Sequence, residues 1–229
     1  MIVNDKFIYL HLQKTGGTFL TKFLTTYTNS KQVLGKHSTY QMIKEEIKKG
    51  KDIIGVIRNP FSWYVSHYHF QKEGNRFMFN EILRSPKDFG EYLKRILDYD
   101  YNKISRINNL NKEIPGLQYE KLNVGNLTFN FINAFCEKNE SCFYNQNLIN
   151  DFLKVNHMIK NEDLSKECLK FFNLINIPLS DAGQKFLFNS KKINTSSHND
   201  YRYYYNDELV DLVKHFDYYL IKKYNYQFE

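Results

Sequence analysis

Short apolar runs alternate along this chain with longer stretches whose apolar residues recur every three or four positions. The first run is Phe7 to Leu10, FIYL, uninterrupted and short enough for a buried strand. It leads through His11 and Gln13 into Lys14-Thr15-Gly16-Gly17-Thr18. From there Phe19, Leu20, Phe23, Leu24 and Tyr27 fall on one helical stripe. The second run, Asp52 to Ile57 with IIGVI at its centre, continues directly into Arg58-Asn59-Pro60. Proline suits the first turn of a helix, and the helix that follows carries Phe61, Tyr64, Val65 and Tyr68 inward. Two strand–turn–helix units with nearly continuous apolar strands predict an α/β protein. Its expected form is three-layered, a short, mostly parallel central sheet flanked by helices.

The remaining pattern is read more coarsely. Gln41 to Lys49 predicts a short polar helix, and Asp88 to Leu97 a helix with Phe89, Tyr92, Leu93 and Ile96 on its stripe. Pro115-Gly116 marks a turn, and Leu127 to Cys136 reads as helical. Phe152 to Ile159 predicts a later strand. Glu162 and Asp163 are expected to cap a helix over Cys168 to Leu174, ended by Ile177-Pro178. Asn206 is the expected N-cap of a last helix with Leu209, Val213, Phe216 and Leu220 facing the core. Tyr224, Tyr226 and Phe228 read as a terminal strand or docking tail. No repeat or linker divides the chain, so residues 1–229 are expected to form a single domain.

The first turn carries candidate chemistry. The leading N–H groups of a helix lack internal partners, and the helix dipole adds positive potential there. Gly16 and Gly17 let an anion approach the backbone, Lys14 adds a charge and Thr18 a hydroxyl. The lysine precedes the glycines, unlike the G-x-x-x-x-G-K-[ST] loop of nucleoside triphosphatases. The plainer alternative is an ordinary strand–helix turn with a surface lysine. Arg58 stands at the carboxyl end of a strand, where open α/β sheets bind ligands, and a guanidinium suits a phosphate. His37, in GKHSTY, is a candidate proton acceptor near neutral pH, with His11 beside the glycine turn as its competitor.

Charge sharpens this picture. The 229 residues carry a formal net charge of +7, which fits an anionic ligand, a polyanion, nucleic acid or a membrane surface. No basic run or zinc-finger spacing supports nucleic acid as a partner. Cys136, Cys142 and Cys168 form neither a metal-type pair nor a disulfide framework. No apolar stretch approaches the roughly 18 residues of a membrane span, and a cytoplasmic protein is expected.

HLQKTGGT followed by VIRNPFSWYVSHY resembles the PAPS-dependent sulfotransferases, especially the carbohydrate 6-O-sulfotransferase-like branch and its bacterial relatives. The resemblance implies a P-loop-like sulfotransferase fold and a donor, 3′-phosphoadenosine 5′-phosphosulfate (PAPS), used without a metal. It implies Lys14, Thr15, Gly16, Gly17 and Thr18 at the sulfate-bearing end, and Arg58 and Ser66 at the 3′-phosphate. KKINTSSHNDYRYYY, Lys191 to Tyr205, resembles a C-terminal loop that folds over the nucleotide, with Lys192, Asn194, Ser196, His198, Tyr201 and Arg202 as candidates. Lys14 and His37 are the implied catalytic residues, and the implied acceptor is a hydroxyl on a carbohydrate. Two other classes stay open: a P-loop nucleotide kinase or nucleotidase, and a non-catalytic polyanion-binding module.

Overall fold

The computed structural model describes residues 1–98, 123–137, 140–190 and 198–229. Five strands form one sheet: β1 (Ile2–Val3), β2 (Phe7–Leu10), β3 (Lys31–Gln32), β4 (Asp52–Ile57) and β5 (His157–Lys160), in the order β3-β1-β2-β4-β5. β2, β4 and β5 run parallel, with Ile8 opposite Ile53 and Gly55 opposite Met158. The two-residue strands β1 and β3 add antiparallel pairs at one edge. They are too short to leave a periodic signal in the sequence.

Alternation along the strands builds two cores. Phe7, Tyr9, Ile54, Val56 and Ile159 face one side with α1 (Gly17–Tyr27). Ile8, Leu10, Ile53 and Ile57 face the other with α2 (Pro60–Glu73). α2 buries Phe61, Trp63, Tyr64, Val65 and Tyr68, covering most of its circumference, because it is enclosed by the sheet and by α3 (Phe89–Leu97). α4 (Asn126–Phe135) closes the same layer. α5 (Leu164–Leu174) and α6 (Asp181–Asn189) cover the α1 side. The three layers and parallel core follow the sequence pattern.

Several local expectations change. The strand expected over Phe152 to Ile159 begins only at His157, since Ile149–Phe152 is a single helical turn. Ahead of that strand Asn156 Oδ1 accepts the Ile53 N–H at 2.7 Å. The helix after it starts at Leu164 rather than near Cys168. Gln41 to Lys49 divides into a 3₁₀ turn, Tyr40–Met42, and one α turn, Glu45–Lys48. The last helix is two, α7 (Asp207–Phe216) and α8 (Tyr218–Tyr224), with Asp217 between them. Asp217 is fully buried and accepts from Tyr64 Oη at 2.6 Å, Thr128 N at 2.9 Å and Thr128 Oγ1 at 2.6 Å. Three helices thereby share one carboxylate, which breaks the apolar stripe. The residues after Tyr224 form no strand, although Tyr226 is buried. Asn206 caps α7 as expected, accepting from Leu209 N at 3.0 Å. The Pro115-Gly116 turn lies outside the described residues.

Candidate functional site

β2 and β4 are neighbours, so their two turns emerge side by side at the carboxyl edge of the sheet. In the first turn Lys14 and Gly16 take left-handed backbone conformations, with φ of 59° and 81°. Gly16 is the N-cap of α1, and no side chain caps this helix; its first turn holds no acid. The leading amides and the positive end of the helix therefore have no side-chain anion of their own. The turn is held from three sides. Thr15 is fully buried and donates its hydroxyl to Leu12 O at 2.8 Å. Asn161 Nδ2 donates to Thr15 O at 3.0 Å, and Trp63 Nε1 to Gln13 O at 2.8 Å. A Cβ on Gly16 would stand 2.5 Å from Asn161 Nδ2, so this position is closed to larger residues by contact as well as by conformation.

Arg58 opens the second turn. Its Nη1 donates to Lys14 O at 3.3 Å and its Nε to Ser62 Oγ at 2.9 Å. The guanidinium is thus anchored to both turns through two of its three nitrogens. Among the described residues no carboxylate lies within salt-bridge distance of Lys14 or Arg58. Lys14 sits over the Phe70 ring at 4.2 Å, and Arg76 lies over the same ring at 3.8 Å. Burial and then the Arg58 charge push the Lys14 ammonium down to about 8. Glu73 offsets part of the Lys14 charge and Glu162 part of the Arg58 charge without pairing with either, and two half-buried cations so arranged describe a site that gains from an anion.

Ser66 lies on α2 two turns beyond Arg58 and is buried. Glu162 does not cap α5, and neither does Asp163, the N-cap residue, whose side chain makes no cap bond. Instead Glu162 Oε1 accepts the Asn59 N–H at 2.7 Å, and its Oε2 accepts from Tyr226 Oη at 3.3 Å. The expected cap is therefore a brace for the Arg58 turn, because β5 ends beside β4 and delivers Glu162 there.

His37 is exposed on the loop after β3. Its Nδ1 lies 3.3 Å from His11 O, so this nitrogen carries the hydrogen and Nε2 remains the basic one. The neighbouring Lys36 donates to Thr18 Oγ1 at 2.8 Å, docking the His37 loop onto the first turn of α1. Burial lowers the His37 pKa; the hydrogen bond to His11 O works against this and the Lys36 charge adds to it. His11 is buried, and its pKa is pushed down to about 3 by burial first and then by His37 and Lys36.

Lys192, Asn194 and Ser196 lie outside the described residues. Tyr201 is in the 3₁₀ turn Tyr201–Tyr204; its hydroxyl donates to Glu229 O at 3.1 Å and its ring meets Phe228. Phe228 in turn meets Phe61, so the segment packs on the first turn of α2. His198 stacks on His69, and Arg202 pairs with Asp200 in solvent. Sequence reasoning did not single out Ser62, Trp63, Phe70, Arg76, Asn161 or Lys36 as parts of this site. Trp63 and Ser62 lie inside the RNPFSW stretch, but nothing in spacing alone reveals that they reach another turn. Among the described residues no three His, Cys, Asp or Glu side chains cluster as metal ligands.

The architecture is that of a sulfotransferase of known structure. Mouse sulfotransferase SULT7A1, solved in complex with PAP, superposes with a TM-score of 0.50 at 14% identity, covering 97% of this chain and 89% of that one. The sequence itself matches no described protein family and no curated protein.

Proposed function

We propose that this chain is a sulfotransferase that moves a sulfuryl group from PAPS to a hydroxyl of a carbohydrate acceptor. The observation that carries the reading is the pair of cationic turns on adjacent parallel strands, joined by the Arg58 to Lys14 hydrogen bond. The uncapped helix and the two partly compensated cations fit a nucleotide with anionic groups at both ends. Lys14, Thr15, Gly16, Gly17 and Thr18 would take the phosphosulfate end, and Arg58 and Ser66 the 3′-phosphate. Lys192, Asn194, Ser196 and Tyr201 are proposed to complete the nucleotide site from the C-terminal segment. One domain over residues 1–229 is proposed to hold the whole site.

The donor supplies a sulfur that an acceptor oxygen attacks as the bond to the 5′-phosphate oxygen breaks. His37 Nε2 takes the acceptor proton, since its neutral tautomer leaves that nitrogen free. Lys14 holds the charge that collects on the departing phosphate. His11 is a poor base here, being buried and held neutral far below working pH. No helix among the described residues is long and apolar enough to cross a membrane. The cysteines are free and buried, which supports a reducing compartment such as the cytoplasm.

Isothermal titration tests the reading. 3′-Phosphoadenosine 5′-phosphate should bind, and ATP with Mg²⁺ should bind more weakly. A preference for ATP would support a kinase instead, and indifference between nucleotides a polyanion-binding module. With an acceptor in hand, His37→Ala should keep nucleotide binding and lose on the order of 10²–10⁴ in turnover.

A further inference from the structure

His11 belongs to both halves of the site without serving as its base. Its imidazole lies against the Cα of Gly17 so closely that a Cβ there would be built into the ring. The ring is stacked 6.1 Å from Tyr9 and lies 4.8 Å from the ring of His37. The residue also borders a small cavity lined by Tyr9, Thr21, Gln32 and Lys36. The carbonyl of the same residue accepts the His37 Nδ1 hydrogen bond. One residue therefore touches the first amide-bearing position of α1 with its side chain and the proposed base with its backbone.

We propose that His11 is a positioning residue that couples the glycine turn to His37. Its ring is the spacer that seats Gly17, and its carbonyl selects the His37 tautomer with Nδ1 protonated and Nε2 free. Burial keeps the spacer neutral across the working pH range, so it adds no charge beside Lys14. A methyl at position 17 must displace the ring, and a movement of the His11 backbone with it shifts the acceptor of His37. This inference rests on the reading of His37 as the base.

Two ligand-independent measurements decide it. Long-range ¹H–¹⁵N spectra of the ligand-free protein should show His37 with Nδ1 protonated. In Gly17→Ala that bias should be lost, and the ring should return to the mixture seen in a free peptide, whereas His11→Ala, which keeps the carbonyl, should retain it alone and in combination with Gly17→Ala. Melting temperatures should show the steric coupling. Gly17→Ala should lower Tm in the wild-type background, and should leave it unchanged or raise it in the His11→Ala background, where the ring is gone. Equal Tm changes in both backgrounds, or a His37 tautomer that ignores Gly17→Ala, would overturn the proposal. If His11→Ala does not fold, the Gly17→Ala spectrum decides alone: an unaltered His37 signal defeats the coupling. Titration of the wild type with 3′-phosphoadenosine 5′-phosphate is a separate arm. Failure to bind would defeat the sulfotransferase reading while leaving the coupling to the spectra and the melts.

Discussion

The two strand–turn–helix units solve the same problem in opposite ways. After β2 the helix begins at a left-handed glycine with no side-chain cap and no acid in its first turn. After β4 the helix is fully started: Asn59 Oδ1 accepts from Phe61 N at 3.0 Å, Pro60 occupies the first turn, and Glu162 takes the Asn59 N–H. The first unit leaves its leading backbone donors without a side-chain cap, open to the proposed ligand. The second satisfies its backbone from within and projects a side chain, Arg58, for the same purpose. An anion site can thus be made from an unfinished helix or placed on a finished one. The first kind is sensitive to what fills the turn, the second to a single side chain.

Filling the open turn should have the largest effect. Thr18→Glu places a carboxylate in the first turn of α1, where it takes up the amides and Lys36. Affinity for 3′-phosphoadenosine 5′-phosphate should fall by at least about 2–3 kcal/mol, the scale of charged hydrogen bonds, while Tm holds or rises because the dipole is satisfied. Unchanged affinity would mean that the ligand does not use this helix end. Arg58→Ala should follow closely, weakening binding by about 1.5–3 kcal/mol and removing the preference for a 3′-phosphate. A variant that keeps that preference at the wild-type level would take Arg58 out of the 3′-phosphate site.

A smaller effect concerns proton linkage at Lys14. In the free protein its pKa is about 8, and a bound phosphate must raise it again. Below pH 8 the group is charged in both states and affinity is flat. Above pH 8 binding takes up a proton, so affinity should fall by up to about tenfold per pH unit, or 1.4 kcal/mol. Lys14→Arg should abolish that slope, and a slope that persists there would assign it to another group. Smallest of all, Asn59→Ala should lower stability by about 1 kcal/mol through the lost cap and leave nucleotide affinity nearly unchanged. A large loss of affinity would show that the second helix end also serves the ligand.

Much of this contrast was legible in the sequence because it is local. FIYL-to-KTGGT and IIGVI-to-RNP each place strand, turn and helix within a few residues, so periodicity alone located Lys14 and Arg58. What was missed comes from tertiary pairing. Glu162 looked like a cap because it precedes a helix, and only the adjacency of β4 and β5 turns it toward Asn59. Trp63 was not among the residues read as inward-facing, yet it is buried and its indole N–H reaches back to Gln13. Asp217 sits at a helical spacing that hides a break, because its partners are Tyr64 and Thr128 from distant segments. His37 was singled out by its neighbours, but its tautomer depends on a carbonyl 26 positions earlier.

The adjacency of β2 and β4 also makes the sheet a measuring device. Neighbouring strands stand about 4.8 Å apart in any sheet, and the Ile8 to Ile53 register leaves the two turns no freedom to slide. The spacing of the two turns is therefore set by backbone geometry, and the two Arg58 hydrogen bonds fix where the guanidinium stands between them. A molecule with two anionic groups on a rigid spacer either matches the gauge or does not. In the proposed site, discrimination by length in this way would need no reading of the nucleobase.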